Sequence, residues 1–119
     1  MSEAIVYYRE NSDVSLKAIE WLRIHDCNVR LEKISNITHR EIFQLIYLSG
    51  LDTPDILNKC HKHSFFIQKK KNKLKHLRFS ESLLFLEHHS ELLQDPIILS
   101  NEYSLIGFDE QQIKHFLQK

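Results

Sequence analysis

AIVYYRENSDVSLKAIEWLRIHDCNVRLEKI, residues 4–34, is the stretch whose reading decides the fold. Ala4-Ile5-Val6-Tyr7-Tyr8 is a short β-rich run and reads as a buried strand. Asn11-Ser12-Asp13 is turn chemistry and offers a helix N-cap. From about Val14 to His25 the spacing is helical, and Leu16, Ile19, Trp21 and Leu22 are expected to form one broad apolar side. Asn28 to Ile34 then alternates, with Val29, Leu31 and Ile34 set against Arg30, Glu32 and Lys33, which predicts a second strand. A β-α-β opening favours parallel strands joined by a right-handed crossover.

Working outward, Thr38 and Glu41 make a capping-box pattern before Ile42, Leu45, Ile46 and Leu48, and that helix should stop at Gly50. Thr53-Pro54 is a further start signal, for a shorter helix running towards His61. Residues 69–78 are polar and basic and read as a surface loop. Ser80 is expected to cap a helix carrying Leu83, Leu84 and Leu86, with a break near His89-Ser90 before Leu92 and Leu93. Pro96-Ile97-Ile98-Leu99 and residues 103–108 read as two strands joined at Asn101-Glu102. Asp109 and Gln112 frame a last helix with Ile113, Phe116 and Leu117 inward. The order is β-α-β-α-α-α-β-β-α. It implies an α/β fold in one domain, residues 1–119, with a helical insertion over about 38–93.

Composition supports a folded chain. Its 119 residues are 42% hydrophobic and 27% charged, enough for a core without disulfides or metals. The two cysteines, Cys27 and Cys60, have no framework spacing and suit a reducing compartment. MSEAIVYYRE has neither the basic nor the apolar region of a signal peptide, and no apolar run reaches the ~20 residues of a membrane span, so a cytoplasmic protein is expected. The net charge is zero, but from Ile56 to Arg78 there are eight Lys/Arg and no Asp/Glu. Such asymmetry bears on partners rather than on fold.

Several residue groups could carry chemistry. Cys60, His61 and His63 offer thiolate and imidazole ligands, as zinc prefers, yet no second ligand pair stands at recognised spacing; the group reads as a solvated helix end, and so does His88-His89. No metal or other cofactor is called for. Cys27 reads as a small packed hydrophobe. Lys69, Lys70, Lys71, Lys73, Lys75 and Arg78 are candidate nucleic-acid contacts, because phosphate binding needs only clustered positive charge; Phe65 and Phe66 stand close enough to suggest stacking.

The layout is that of thioredoxin-like proteins, with a mixed central sheet and an inserted helical part. Three stretches carry a closer likeness: Ile5-Val6-Tyr7-Tyr8 with Lys17-Ala18-Ile19-Glu20-Trp21-Leu22; Glu41-Ile42-Phe43-Gln44-Leu45-Ile46; and Leu92-Leu93-Gln94-Asp95-Pro96-Ile97-Ile98-Leu99 followed by Leu105-Ile106-Gly107-Phe108 and Ile113-Lys114-His115-Phe116-Leu117. On these the chain resembles the ArsC/Spx family over essentially its whole length. The resemblance implies a cis peptide bond before Pro96. For Spx-like members it implies binding to the C-terminal domain of the RNA polymerase α subunit; for ArsC-like members, arsenate reduction by a cysteine.

The departures from the family pattern are chemical. Spx-like members place Cys-x-x-Cys between the first strand and helix, and ArsC-like members a single nucleophilic Cys. Here those positions correspond to Ser12 and Ser15. Amide dipoles at a helix N-terminus stabilise a thiolate. A serine hydroxyl titrates far above neutrality and cannot form a disulfide, so both serines read as caps. The family's basic pair before the proline is Gln94-Asp95 here, and Asp95 would repel an oxyanion. In the segment that the resemblance links to polymerase contact, a family Arg and Gly correspond to Tyr47 and Asp52, with Gly50 two residues early. The implied function is an Spx-like, non-enzymatic transcription regulator that binds the polymerase α subunit, and promoter DNA through that complex, without the thiol switch. The alternatives are an ArsC-type reductase and a module that binds nucleic acid directly through residues 69–78.

Overall fold

The computed structural model describes residues 3–58 and 65–117. Among them four strands form one sheet: β1 (Ala4–Tyr8), β2 (Val29–Lys33), β3 (Ile97–Leu99) and β4 (Ser104–Ile106). The spatial order is β2-β1-β3-β4. β1 and β2 are parallel, as the β-α-β opening requires, while β3 runs antiparallel to both β1 and β4. Val6 sits between Leu31 and Ile98, and Ile98 faces Leu105. This is the mixed sheet of the expected α/β, thioredoxin-like fold.

Period-two alternation divides the core into two layers. Ala4, Val6, Ile98 and Leu105 point to one face, where α1 (Asp13–Ile24) brings Ala18 and Leu22 and the chain end brings Ile113 and Phe116. Tyr7, Ile97 and Leu99 point to the other, under α2 (His39–Ser49) with Ile42 and Leu45 and α4 (Phe79–His88) with Leu83 and Leu86. β3 is therefore buried on both sides, which explains its unbroken apolar run.

The local signals act largely as expected. Ser12 caps α1 by accepting from the Ser15 amide. Thr38 and Glu41 form a complete capping box, and Gly50 ends α2 at φ 74°, the left-handed region that a side chain rarely adopts. The Asp95–Pro96 peptide bond is cis.

Six expectations need correction. The inward face of α1 is Ser15, Ala18 and Leu22, at i, i+3 and i+7, while Leu16 is half exposed; a small polar residue occupies the position that apolar counting passes over. Leu31 is also largely exposed, because β2 lies at the sheet edge. Of the expected loop over residues 69–78 only 75–78 is one: 69–74 belong to α3, which spans Phe65–Leu74, and its polarity reflects how little of it is buried, Leu74 chiefly. Thr53-Pro54 begins only a 3-10 turn, Thr53–Ile56, after which Leu57 is extended and bridges Leu93. α4 starts at Phe79 rather than after Ser80, its end capped by Glu41's counterpart Glu81, which accepts from the Arg78 amide at 2.9 Å. The closing segment likewise makes only the turn Ile113–Phe116, although Asp109 accepts from the Gln111 and Gln112 amides as a cap would.

One polar contact joins the sheet to the helical layer. The Tyr7 hydroxyl donates to Glu41, whose other carboxylate oxygen accepts from the Thr38 amide. Burial pushes the Tyr7 pKa up, and the bond to Glu41 adds to that rise. A raised folded pKa contributes stability below the unfolded value, about 10, and loses it as pH rises further. Tyr7→Phe should therefore cost about 1–2 kcal/mol at neutral pH and flatten the alkaline limb of the stability curve. Urea denaturation between neutral and strongly alkaline pH checks both effects; equal stability at neutral pH would show the contact to be inert.

Candidate functional site

The C-terminal end of β1, the N-terminus of α1 and the segment leading into β3 converge on one polar cluster. Arg9 leaves β1, and its carbonyl accepts from the Ser12 amide at 3.2 Å, which tightens the turn into α1. That turn directs the buried Ser15 side chain beneath the helix end. Its Oγ accepts from the Arg9 amide at 3.2 Å and donates to Asp95 Oδ2 at 2.6 Å. Arg9 Nη1 donates to Asp95 Oδ1 at 2.7 Å and to the Leu93 carbonyl at 2.8 Å, while Nη2 donates to the Ser90 carbonyl at 2.6 Å. The bond geometry matches charge-assisted contacts of this type.

Burial by itself would raise the Asp95 pKa. Hydrogen bonds from Ser12 and Ser15 and the Arg9 guanidinium outweigh it and hold the carboxyl below its ordinary range. The cluster is thus a carboxylate with its oxygens engaged and a guanidinium whose charge is compensated. It lacks what nucleophilic chemistry needs. A useful general base has a pKa near the working pH, and this carboxylate is shifted the other way. Ser15 is out of contact with solvent, and Arg9, the cation that could have held an oxyanion, is committed to Asp95 and to two carbonyls.

Arg9 is the member that sequence reasoning missed. Its signal was the acid at position 95: an aspartate beside a buried helix end demands a cation, and Arg9 stands immediately after β1. Cys27 lies apart from this cluster and packs against the α1 core layer; burial, and then Asp26, push its thiol pKa up. Cys60, His61 and His63 lie outside the described residues. His88 and His89 flank α4's end and face Glu87 and Glu91.

The segment from Tyr47 to Asp55 forms a second surface. Tyr47 is 75% exposed and stacks on Phe43, whose ring meets the edge of Phe79 at 6.2 Å between centroids. Gly50 turns the chain with open space where a Cβ would stand, and the exposed Asp52 opens the 3-10 turn, its amide donating to Asp55. Tyr47, Gly50 and Asp52 thus share one open corner of the helical layer.

The basic run is brought onto α3 and the connection to α4. Lys69, Lys73, Lys75 and Arg78 are exposed. Folding brings acid to the run that its own sequence lacks: Lys70 pairs with Glu91 at 2.5 Å. Lys71 Nζ donates to the Asn58 carbonyl, and Lys73 Nζ lies 5.7 Å from the Phe85 ring centre. Phe65 and Phe66 are exposed at the start of α3 and meet edge to face. Among the described residues no helix is long and apolar enough to cross a membrane.

No protein-family model matches the chain. The global transcriptional regulator Spx of Streptococcus pneumoniae is 30% identical over 105 residues, spanning 87% of this chain and 77% of the relative. An ArsC-family-related protein of Bacteroides fragilis superposes with a TM-score of 0.81 at 21% identity, covering 96% of this chain and 97% of that one. An arsenate reductase from Vibrio cholerae superposes with a TM-score of 0.70 at 16% identity, covering 98% and 96%. The structural likeness carries the fold, the sequence match carries the kinship, and the chain belongs to the ArsC/Spx family.

Proposed function

We propose that this chain is a non-enzymatic transcription regulator of the Spx kind, acting in the cytoplasm on the C-terminal domain of the RNA polymerase α subunit, with no redox thiol switch. The observation that carries the reading is the Arg9–Asp95–Ser15 cluster. Where family members keep a reactive thiol and a free cation, this chain has a buried hydroxyl and a compensated ion pair. Neither arsenate reduction nor disulfide formation has a group to start from there. The remaining described thiol, Cys27, is held towards its protonated form, which disfavours oxidation.

The surface best suited to the polymerase is the corner bearing Tyr47, Gly50 and Asp52, extended by Phe43 and Phe79. Exposed aromatic groups are the side chains that most often dominate protein interfaces. The exposed cations Lys69 and Lys73 on α3, with Arg78 on the connection to α4, are the residues suited to reach promoter DNA in such a complex. Direct binding of nucleic acid through the same residues is a second reading, favoured by their exposure. The two part on whether DNA binding requires polymerase.

A pull-down with purified polymerase α C-terminal domain tests the partner. The wild-type chain should retain it, and Tyr47→Ala should weaken retention about tenfold. No retention at low salt would refute the polymerase contact, and turnover of arsenate with a thiol reductant would refute the non-enzymatic reading. On promoter DNA with polymerase, replacing Lys69, Lys73 and Arg78 with Ala should flatten the log–log salt dependence by about 0.9 per lost phosphate contact.

The cluster also predicts an acid response. Asp95 has a depressed folded pKa, so its contribution is present above the unfolded value of about 3.9 and is lost as pH falls through the folded one. Asp95→Asn should destabilise by about 1–3 kcal/mol at pH 7 and flatten the acid limb. Chemical denaturation across that range reads the effect, and an unchanged acid limb would mean the ion pair contributes nothing.

A further inference from the structure

Between the Thr53–Ile56 turn, α3 and the start of α4 runs an open groove of about 480 Å3. That is in the range of cavities that accept a small ligand or a few anchoring side chains, about 300–1,000 Å3. Pro54, Leu57, Leu77 and Phe79 give it apolar walls, and Lys71 and Lys75 line it as well. Among the described residues no carboxylate pairs with either lysine: Glu91 is taken by Lys70, and Glu87 faces His39 and His88. Lys71 spends one donor on the Asn58 carbonyl at 2.9 Å, and an ammonium has three. Burial holds its pKa below the ordinary lysine value, as expected of a partly desolvated cation with no anion beside it.

Apolar walls beneath unpaired cations fit one chemistry, an apolar side chain flanked by carboxylates. We infer that this groove is a docking site for an acidic, Leu- or Phe-bearing peptide segment of a partner protein, with the apolar side chain against Leu57, Leu77 and Phe79 and the carboxylates on Lys71 and Lys75. Charge complementarity sets the sign of the partner, because residues 56–78 carry eight cations and no acid. Walls made mostly of Pro54, Leu57 and Leu77 favour a peptide over nucleic acid, whose phosphates would use the lysines and leave these aliphatic groups bare. The inference does not rest on the polymerase contact at Tyr47, Gly50 and Asp52.

The test is fluorescence anisotropy on the full chain, with a short fluorescein-labelled peptide of Glu, Asp, Leu and Phe as probe. Saturable binding is expected at low salt. It should weaken tenfold or more in the Lys71→Glu/Lys75→Glu double variant and in Thr53→Trp, which fills the groove from one wall, with circular dichroism confirming that both variants fold. Equal binding to both variants, or to a control peptide with Lys in place of each acid, would overturn the proposal. So would competition by a single-stranded oligonucleotide that Thr53→Trp leaves unchanged, which would assign the lysines to phosphates. Sedimentation showing a dimer that Thr53→Trp dissolves would assign the groove to a second copy of the chain and overturn it equally.

Discussion

Arg9 ties three parts of the chain together. Its guanidinium neutralises Asp95 and donates to the Ser90 and Leu93 carbonyls, and its backbone amide donates to Ser15 Oγ. The end of β1, the first turn of α1 and the approach to β3 are therefore held through one residue. A partly buried ion pair of this kind costs desolvation, and only further hydrogen bonds make it tolerable. Here those bonds come from backbone carbonyls and from a serine whose hydroxyl would otherwise be buried alone. No buried side-chain polar atom among the described residues is left without a partner.

That closure links fold to function. A thioredoxin-like scaffold places a helix N-terminus, a loop and a cis-proline segment together, and a thiolate set there becomes reactive. In this chain the same convergence holds a carboxylate and a hydroxyl instead, and the electrostatics run the other way. The anion is Asp95, fixed and already satisfied, so an incoming anion meets neither a free cation nor a nucleophile. The exposed aromatic and basic groups lie elsewhere, on the helical layer: the aromatic corner of Phe43, Tyr47 and Phe79, and the cations of α3.

Much of the fold was legible in residues 4–34 and 92–108, because strand alternation, caps and turn residues there agree with one another. Thr38, Glu41 and Gly50 marked α2 correctly since a capping box and a left-handed glycine are local requirements. α3 was not legible: it buries little beyond Leu74, so apolar periodicity, the main sequence signal for a helix, is nearly absent from it. Leu16 misled for the converse reason, an apolar side chain on an exposed face. Of the site, Ser12, Ser15 and Asp95 were found through the family pattern. Arg9 was not, because its signal, the acid at position 95, stands 86 residues away and nothing beside Arg9 points to it. Glu91's pairing with Lys70 escaped for the same reason.

The central proposal is a polymerase contact that does not answer to oxidation. The most direct measurement is the affinity of the chain for purified polymerase α C-terminal domain by isothermal titration calorimetry, once in thiol reductant and once after treatment with diamide. The account predicts binding with the same dissociation constant in both states. Binding that appears or disappears with oxidation, reversed by reductant, would contradict it.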